Sequence, residues 1–249
     1  MRAIVVWKFV TPKMREVRTR NSIIRAKPFM CKFGLLTGGR SSSLSTAHCF
    51  AMIIPAICLY AGELDFLERV EETMLVNQSN PKALRFGMAA ASILESVLLG
   101  KTLREALRKV VESALGSSSN FSFDDTDVGD ACLYSLMEAK MKDTVELMEG
   151  LEEEEEQGGC TAKFPSPFIV SMFLFYKAIA EGDITEESYI KAVRENILAG
   201  GDTCVRAILI GAVMGAAAGS VPDSFIQKFP KETMEKVDKS IAAIIESIN

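Results

Sequence analysis

The chain has 249 residues, of which 48% are hydrophobic and 24% are charged, and its formal net charge is −5. These values exclude a disordered or fibrous protein and are typical of a globular domain that buries most of its apolar surface. The positive charge is concentrated in residues 1–45, so the rest of the chain is acidic. An acidic body is unsuited to nucleic acid, and we expect no nucleic-acid partner.

Residues 1–45 differ in composition from everything that follows. They are rich in Arg, contain Ser and include a single acidic residue, Glu16. This composition is typical of a mitochondrial transit peptide. The alternative is an atypical start in place of another N-terminal region, because the periodicity is poor. We therefore divide the chain into a basic atypical N-terminal segment, residues 1–45, and an all-helical domain, residues 46–249.

The sequence from Thr46 onward predicts helices almost throughout, because no run of β-branched residues alternates with a period of two. Asn80 is expected to cap a helix that begins at Pro81. One face of that helix should pack closely against a neighbour, because it carries a stripe of small and apolar residues. The stripe consists of Ala83, Gly87, Ala90, Leu94 and Leu98.

Further helix starts are predicted along the chain. Thr102 and Glu105 have the spacing of a capping box. Thr185, followed by Glu187, opens an amphipathic helix, and Ser166 with Pro167 opens a hydrophobic one. Residues 231–248 form the closing helix.

Two polar stretches are predicted to be exposed. Residues 117–130 read as a loop in which Asp127 caps the next helix. The acidic run at 152–156, with the glycines after it, reads as a solvated helix end or loop, because adjacent like charges repel.

The apolar segment 205–221 carries glycines every four residues, a spacing also found in membrane helices. It is shorter than the ~20 residues that a membrane span requires, so we predict a buried helix and no membrane partner. Six scattered cysteines without a regular framework favour a reducing, intracellular compartment, the cytoplasm or alternatively the mitochondrion. The single histidine, His48, is interpreted as a helix-edge residue, since no cysteine cluster accompanies it.

The most specific motif is G-G-D-T-C-V-R at residues 200–206. It is similar to the G-G-D-T-D-T-x-A signature of the ADP-ribosylglycohydrolase superfamily, in which two aspartates and the last threonine ligate paired magnesium ions. Asp202 matches the first ligand, whereas Cys204 and Val205 replace the other two. Mg²⁺ prefers hard oxygen ligands, whereas a thiol is soft and an isopropyl group donates nothing. We interpret Cys204 as a small buried residue.

Two upstream elements extend the resemblance over about residues 46–225, in the same order and spacing. Residues 50–56 resemble the family's A-M-R-I-A-P segment, and residues 76–83 resemble its T-H-x-x-P-x-A element. Gln78 and its neighbours stand where many hydrolases have histidine, a variant similar to the jellyfish J-type crystallin branch. The family's T-D-D-T metal motif does not occur before residue 46, and D-D-T-D at 124–127 follows the wrong element.

The resemblance implies an all-α fold, a compact helical bundle of the ADP-ribosylglycohydrolase type that is N-terminally incomplete. It implies hydrolysis of ADP-ribose linkages with Mg²⁺ as cofactor and an ADP-ribose-type small molecule as ligand. Asp202 would be the metal ligand, with Gly200, Gly201 and Thr203 as substrate-binding residues. These ligands are too few for a full site, so activity would be weakened or lost. Asp202 has a second interpretation as a plain helix cap.

Three functions remain open from the sequence. The first is a weakened or inactive relative that keeps the scaffold and some binding of a nucleotide ribose. The second is a non-catalytic, crystallin-like structural protein. The third is an active hydrolase with replacement ligands. The sequence predicts no oligomeric state.

Overall fold

The computed structural model describes residues 47–76, 78–115, 126–154 and 164–248. Every regular element within these ranges is a helix, which confirms the all-α prediction. Predictions for residues 1–45, for 117–125 of the first loop and for 155–159 lie outside the described residues. In chain order the helices are α1 Ala47–Tyr60, α2 Phe66–Met74, α3 Pro81–Leu98, α4 Leu103–Ala114, α5 Thr126–Glu138, α6 Thr144–Glu154, α7 Ser166–Ala180, α8 Glu186–Leu198, α9 Thr203–Ala218, α10 Asp223–Ile226 and α11 Lys231–Ile248.

The predicted helix starts are confirmed by side-chain hydrogen bonds. The Asn80 carboxamide oxygen accepts from the backbone N–H of Lys82 at 3.0 Å. Thr102 and Glu105 form the reciprocal capping box that their spacing predicts. Thr185 also caps its helix, but its reciprocal partner is Ser188, while Glu187 accepts from the Thr185 hydroxyl at 2.8 Å.

The prediction of a loop as far as residue 130 is wrong in its last part. Helix α5 begins at Thr126, so Asp127 is the second helical residue and not the cap. Its carboxylate lies 2.9 Å from Lys82 Nζ at the start of α3. The buried side chains of Val128 and Cys132 explain the difference, because their helical spacing packs this segment into the core. The acidic run, by contrast, begins inside the end of α6, as expected.

An aromatic cluster joins the first and second halves of the described chain. The ring of Phe86 on α3 stacks on Phe164 with centroids 4.9 Å apart and meets Phe168 on α7 at 5.2 Å. Phe50 on α1 meets the edge of Phe164 at 5.5 Å. All four residues are almost completely buried. The cluster therefore fixes α1 and α3 against the start of α7.

Close packing occurs where the small-residue stripe predicts it. Gly87 on α3 faces Met74, and a Cβ placed at Gly87 would overlap with the Met74 thioether and lie 3.4 Å from Cys49 Cβ.

Helix α9 is buried as predicted and packs against α1, α3, α7 and α8. None of the described helices combines the length and the apolar character needed to cross a membrane.

A buried carboxylate ties α3 to the turn after α1. Glu95 is 6% exposed, and its Oε1 accepts from the N–H of Gly62 at 2.9 Å. Gly62 adopts φ +84, which glycine tolerates. Burial raises the pKa of the Glu95 carboxyl, although the Gly62 hydrogen bond and the positive charge of Lys109 act in the opposite direction. The folded protein therefore favours the protonated carboxyl more than the unfolded chain does.

We expect Glu95→Gln to change how stability depends on pH. A folded pKa above the unfolded one gives stability that is complete at low pH and is lost as pH rises through the folded value. Glutamine keeps an oxygen for Gly62 but does not titrate. The melting temperature of the variant relative to wild type should therefore be highest at neutral pH and decline toward pH ~4.5. Parallel curves for the two proteins would contradict this, and Glu112→Gln, at an exposed site, is the control.

Candidate functional site

A tight turn joins α8 to α9 and carries the sequence motif. We call residues 199–203 the glycine turn. Gly200 and Gly201 adopt φ +67 and φ +60, the left-handed region that other residues enter at a cost. A Cβ at Gly200 would meet nothing within 4 Å, so backbone conformation and not lack of space requires glycine there. Both glycines are exposed, which leaves the backbone of the turn accessible from solvent.

Asp202 is the N-cap of α9. It has φ −80 and ψ 72, and the N–H of Thr203 donates to the Gly201 carbonyl at 2.9 Å, the arrangement of an inverse γ-turn. One carboxylate oxygen, Oδ1, accepts from the N–H of Val205 at 3.2 Å. The structure therefore shows the helix-cap role of Asp202. Its role as a metal ligand stays a prediction.

The side chains after Asp202 pass from the surface into the core over four residues. Thr203 is half-buried, Cys204 is exposed and Val205 is 6% exposed. The prediction that Cys204 is buried is therefore wrong, because the first turn of α9 directs Val205 and Arg206 inward and leaves position 204 on the outer face. The N–H groups of Gly201 and Cys204 donate to no acceptor within the described residues. They lie at the positive end of the α9 dipole.

A fully buried arginine beneath the turn was not identified from the sequence. Arg206 is 0% exposed, and its Nε donates to Asn196 Oδ1 at 2.8 Å. Its Nη2 donates to the Asn196 carbonyl at 3.3 Å and also to the Gly200 carbonyl. Asn196 Nδ2 in turn donates to the Thr203 carbonyl at 3.0 Å. We call this arrangement the Asn196–Arg206 clamp.

The periodicity of α9 contains the signal that could have revealed the clamp. Arg206 stands three, four and seven residues before Leu209, Ile210 and Val213, so it lies on the same buried face. A charged residue in such a row is expected to have buried hydrogen-bond partners. No sequence rule named Asn196 as the partner, since it lies on the preceding helix.

The other matched elements lie in helices that contact α9 or directly before one. Residues 50–56 belong to α1, and α9 packs against both α1 and α3. Gln78, just before α3, is 0% exposed, and its Oε1 accepts from the N–H groups of Ser79 and Asn80, each at 2.9 Å. Residues 50–56 thus lie in one helix that packs against α9, and Gln78 directly precedes another. Where many hydrolases have histidine, the glutamine here fixes the backbone at the start of α3.

The donor set of the turn does not fit a paired metal site. Asp202 supplies one carboxylate, with one oxygen already bonded to a backbone N–H. Position 204 supplies a soft thiol and position 205 no donor at all. Among the described residues, no group of three or more His, Cys, Asp or Glu side chains is placed to hold a metal ion.

Comparison with known proteins identifies the family. The sequence pattern of the ADP-ribosylglycohydrolase family matches residues 14–248. The chain belongs to the ADP-ribosylglycohydrolase family. The match is wider than residues 46–225 and includes part of the basic segment. The family acts on ADP-ribose substrates and is generally metal-dependent.

A curated relative supports the same assignment. Crystallin J1A of Tripedalia cystophora is 26% identical over 196 residues, which cover 77% of this chain and 53% of that protein. The chain thus spans about half the length of this relative. The predicted resemblance to the J-type crystallins is confirmed at the level of similarity.

Proposed function

We propose that this ADP-ribosylglycohydrolase-family protein keeps a site for an ADP-ribose-type small molecule at the glycine turn, and that its Mg²⁺-dependent hydrolysis is weakened or lost. The observation that carries the proposal is the chemistry of the turn. Its backbone is open to a ligand, whereas two of the three family ligand positions hold an exposed thiol and a buried isopropyl group.

The binding half of the proposal rests on accessible polar groups. Gly201 and Cys204 are exposed residues, and their N–H groups lie at a helix N-terminus, where hydroxyl and phosphate oxygens are favourable partners. The absence of side chains at Gly200 and Gly201 lets a ligand approach the backbone closely. We assign the Thr203 hydroxyl to the ribose hydroxyls and the second carboxylate oxygen of Asp202 to Mg²⁺.

The loss of hydrolysis follows from the count of oxygen ligands. Two neighbouring Mg²⁺ ions need several carboxylate or hydroxyl oxygens in near-octahedral geometry. Asp202 is the one matched position that could contact Mg²⁺, and a single carboxylate holds the ion weakly. Weak or absent turnover is therefore the expected result in an assay for release of ADP-ribose.

Two variants at Asp202 distinguish its role as a helix cap from its role as a metal ligand. Asparagine caps a helix about as well as aspartate, so Asp202→Asn should lower stability by only a few tenths of a kcal/mol, whereas Asp202→Ala should cost about 1 kcal/mol. We expect ADP-ribose with Mg²⁺ to raise the melting temperature of the wild-type protein, since a ligand that binds only the native state stabilises it. In Asp202→Asn this shift should fall by at least half.

Three controls show which ligand and which residue cause a shift in melting temperature. Mg²⁺ alone and ADP-ribose alone show which ligand causes the shift, and Asp183→Asn changes an exposed aspartate on the loop before α8 by the same chemistry. No shift for wild-type protein with either ligand would refute the binding half. An equal shift in wild type and Asp202→Asn would remove Asp202 from the site. Rapid release of ADP-ribose by wild-type protein would contradict the loss of hydrolysis.

The second candidate function is that of a non-catalytic structural protein of the crystallin kind. It is favoured by the similarity to Crystallin J1A and by the unsuitable groups at positions 204 and 205. A purely structural protein would show no shift with Mg²⁺ or ADP-ribose. The thermal-shift experiment therefore distinguishes the two candidates directly.

A further inference from the structure

We propose that Asn196 and Arg206 are positioning residues that set the backbone of the glycine turn for its ligand. The inference rests on the proposed function, since it assigns a role at the same site. Asn196 lies outside the family motif, and Arg206 stands at the position that the motif leaves open.

The hydrogen bonds of the clamp connect α8, the glycine turn and α9. The Arg206 guanidinium binds the last turn of α8 through the carbonyl of Asn196 and binds the glycine turn through the carbonyl of Gly200. Asn196 binds the start of α9 through the carbonyl of Thr203. The clamp therefore ties the last turn of α8 to Gly200 within the turn and to Thr203, where the turn ends and α9 begins.

The clamp is buried beneath an exposed turn. Arg206 is 0% and Asn196 is 1% exposed, whereas Gly200 and Gly201 are exposed above them. A buried guanidinium has a rigid planar set of donors and little freedom to move away. By contrast, two successive glycines have the largest conformational freedom in the chain. The rigid polar layer therefore restricts the part of the turn that would otherwise be the most mobile.

Ligand binding depends on the turn conformation that the clamp holds. The N–H groups of Gly201 and Cys204 can meet ligand oxygens only if the turn keeps its left-handed conformation. A turn that samples other conformations would bind with an affinity reduced by the fraction of time spent in them. Loosening the clamp should therefore weaken binding even when the helices around it remain folded.

Asn196→Asp is the variant that loosens the turn with the least damage. The new carboxylate keeps an acceptor for Arg206 and adds an opposite charge beside it. It loses the Nδ2 donor, so an acceptor faces the Thr203 carbonyl where the hydrogen bond was 3.0 Å long. Gln227→Glu, at an exposed site, is the matched control for the change in net charge. Asn196→Leu, neutral and with the same branching and number of side-chain heavy atoms, separates the lost hydrogen bonds from the added charge.

Two readouts on the full chain test the inference. Hydrogen exchange at the N–H groups of Thr203 and Val205 should become about five- to tenfold faster in Asn196→Asp, as expected for the loss of one hydrogen bond. The Kd for ADP-ribose should rise by a similar factor in both Asn196 variants, while the melting temperature of unliganded Asn196→Asp stays near that of wild type. A residue that only stabilises the fold would move the melting temperature without this selective rise in Kd.

The outcomes separate this inference from the proposed function. Unchanged exchange at Thr203 and Val205 would overturn the clamp, and faster exchange with an unchanged Kd would overturn its role in binding. A rise in Kd for Asn196→Asp but not for Asn196→Leu would assign the effect to charge and also overturn that role. If wild-type protein does not bind ADP-ribose, the proposed function and the ligand role fall together, while the exchange rates still decide whether the clamp sets the turn.

Discussion

Arg206→Met should lower the free energy of unfolding by about 3–5 kcal/mol, the range found when one partner of a buried charged network is removed. Methionine fills most of the space but donates no hydrogen bond. The Asn196 oxygens, which accept from Arg206 at 2.8 and 3.3 Å, would lose these donors in the core. Each buried acceptor left without a partner costs about 1–3 kcal/mol. Urea unfolding followed by circular dichroism measures the change.

The matched control is Arg194→Met on the exposed face of α8, which should change stability by no more than about 0.5 kcal/mol. Arg206→Lys is informative as well, because lysine keeps the charge but lacks the planar donors that reach two carbonyls and a side chain at once. It should lose most of the stability that Arg206→Met loses. Comparable stability of Arg206→Met and Arg194→Met would show that the buried hydrogen bonds of Arg206 are not important for folding.

Phe86→Ala should cost about 3–5 kcal/mol, because it removes a buried ring and leaves a cavity between helices that cannot close fully. The ring contacts Phe164 and Phe168, so its loss weakens the packing of α3 against α7. Phe86→Leu keeps part of the apolar volume and should cost less. The expected fall in melting temperature for the alanine variant is roughly 10 °C for a chain of this size.

Leu64→Ala provides the control for Phe86→Ala, since Leu64 is completely exposed in the turn between α1 and α2. Its removal should change stability by no more than about 0.5 kcal/mol. If Phe86→Ala unfolded at the same urea concentration as Leu64→Ala, the aromatic cluster would not be the element that holds the two halves together.

Local signals in the sequence were sufficient for the helices and most of their starts. Asn80 before Pro81, and Thr102 three residues before Glu105, satisfy N–H groups within their own first turn, so neighbouring residues alone specify them. The glycine turn was equally visible, because only glycine adopts two successive left-handed conformations without cost. The family resemblance carried by residues 200–206 came from this same local pattern.

Tertiary packing decided the features that local patterns predicted wrongly or did not reveal. Asp127 lies within a helix and pairs with Lys82, because Val128 and Cys132 find buried positions that outweigh the polar sequence before them. Cys204 is exposed because the orientation of α9 against α1, α3 and α7 places its outer face there. The sequence shows that position 204 carries a thiol, but it does not show that this side chain is exposed.

The sequence by itself determined an all-helical protein of this family, with two successive glycines at 200 and 201 and with altered groups at two ligand positions. Each of these conclusions depends on residue types and on spacings between residues that are close together in the sequence. Only the tertiary structure showed that Arg206 is buried against Asn196, ten residues away on the preceding helix. The physical reason is that a buried guanidinium must find acceptors wherever the fold brings them, and their positions depend on how two helices pack.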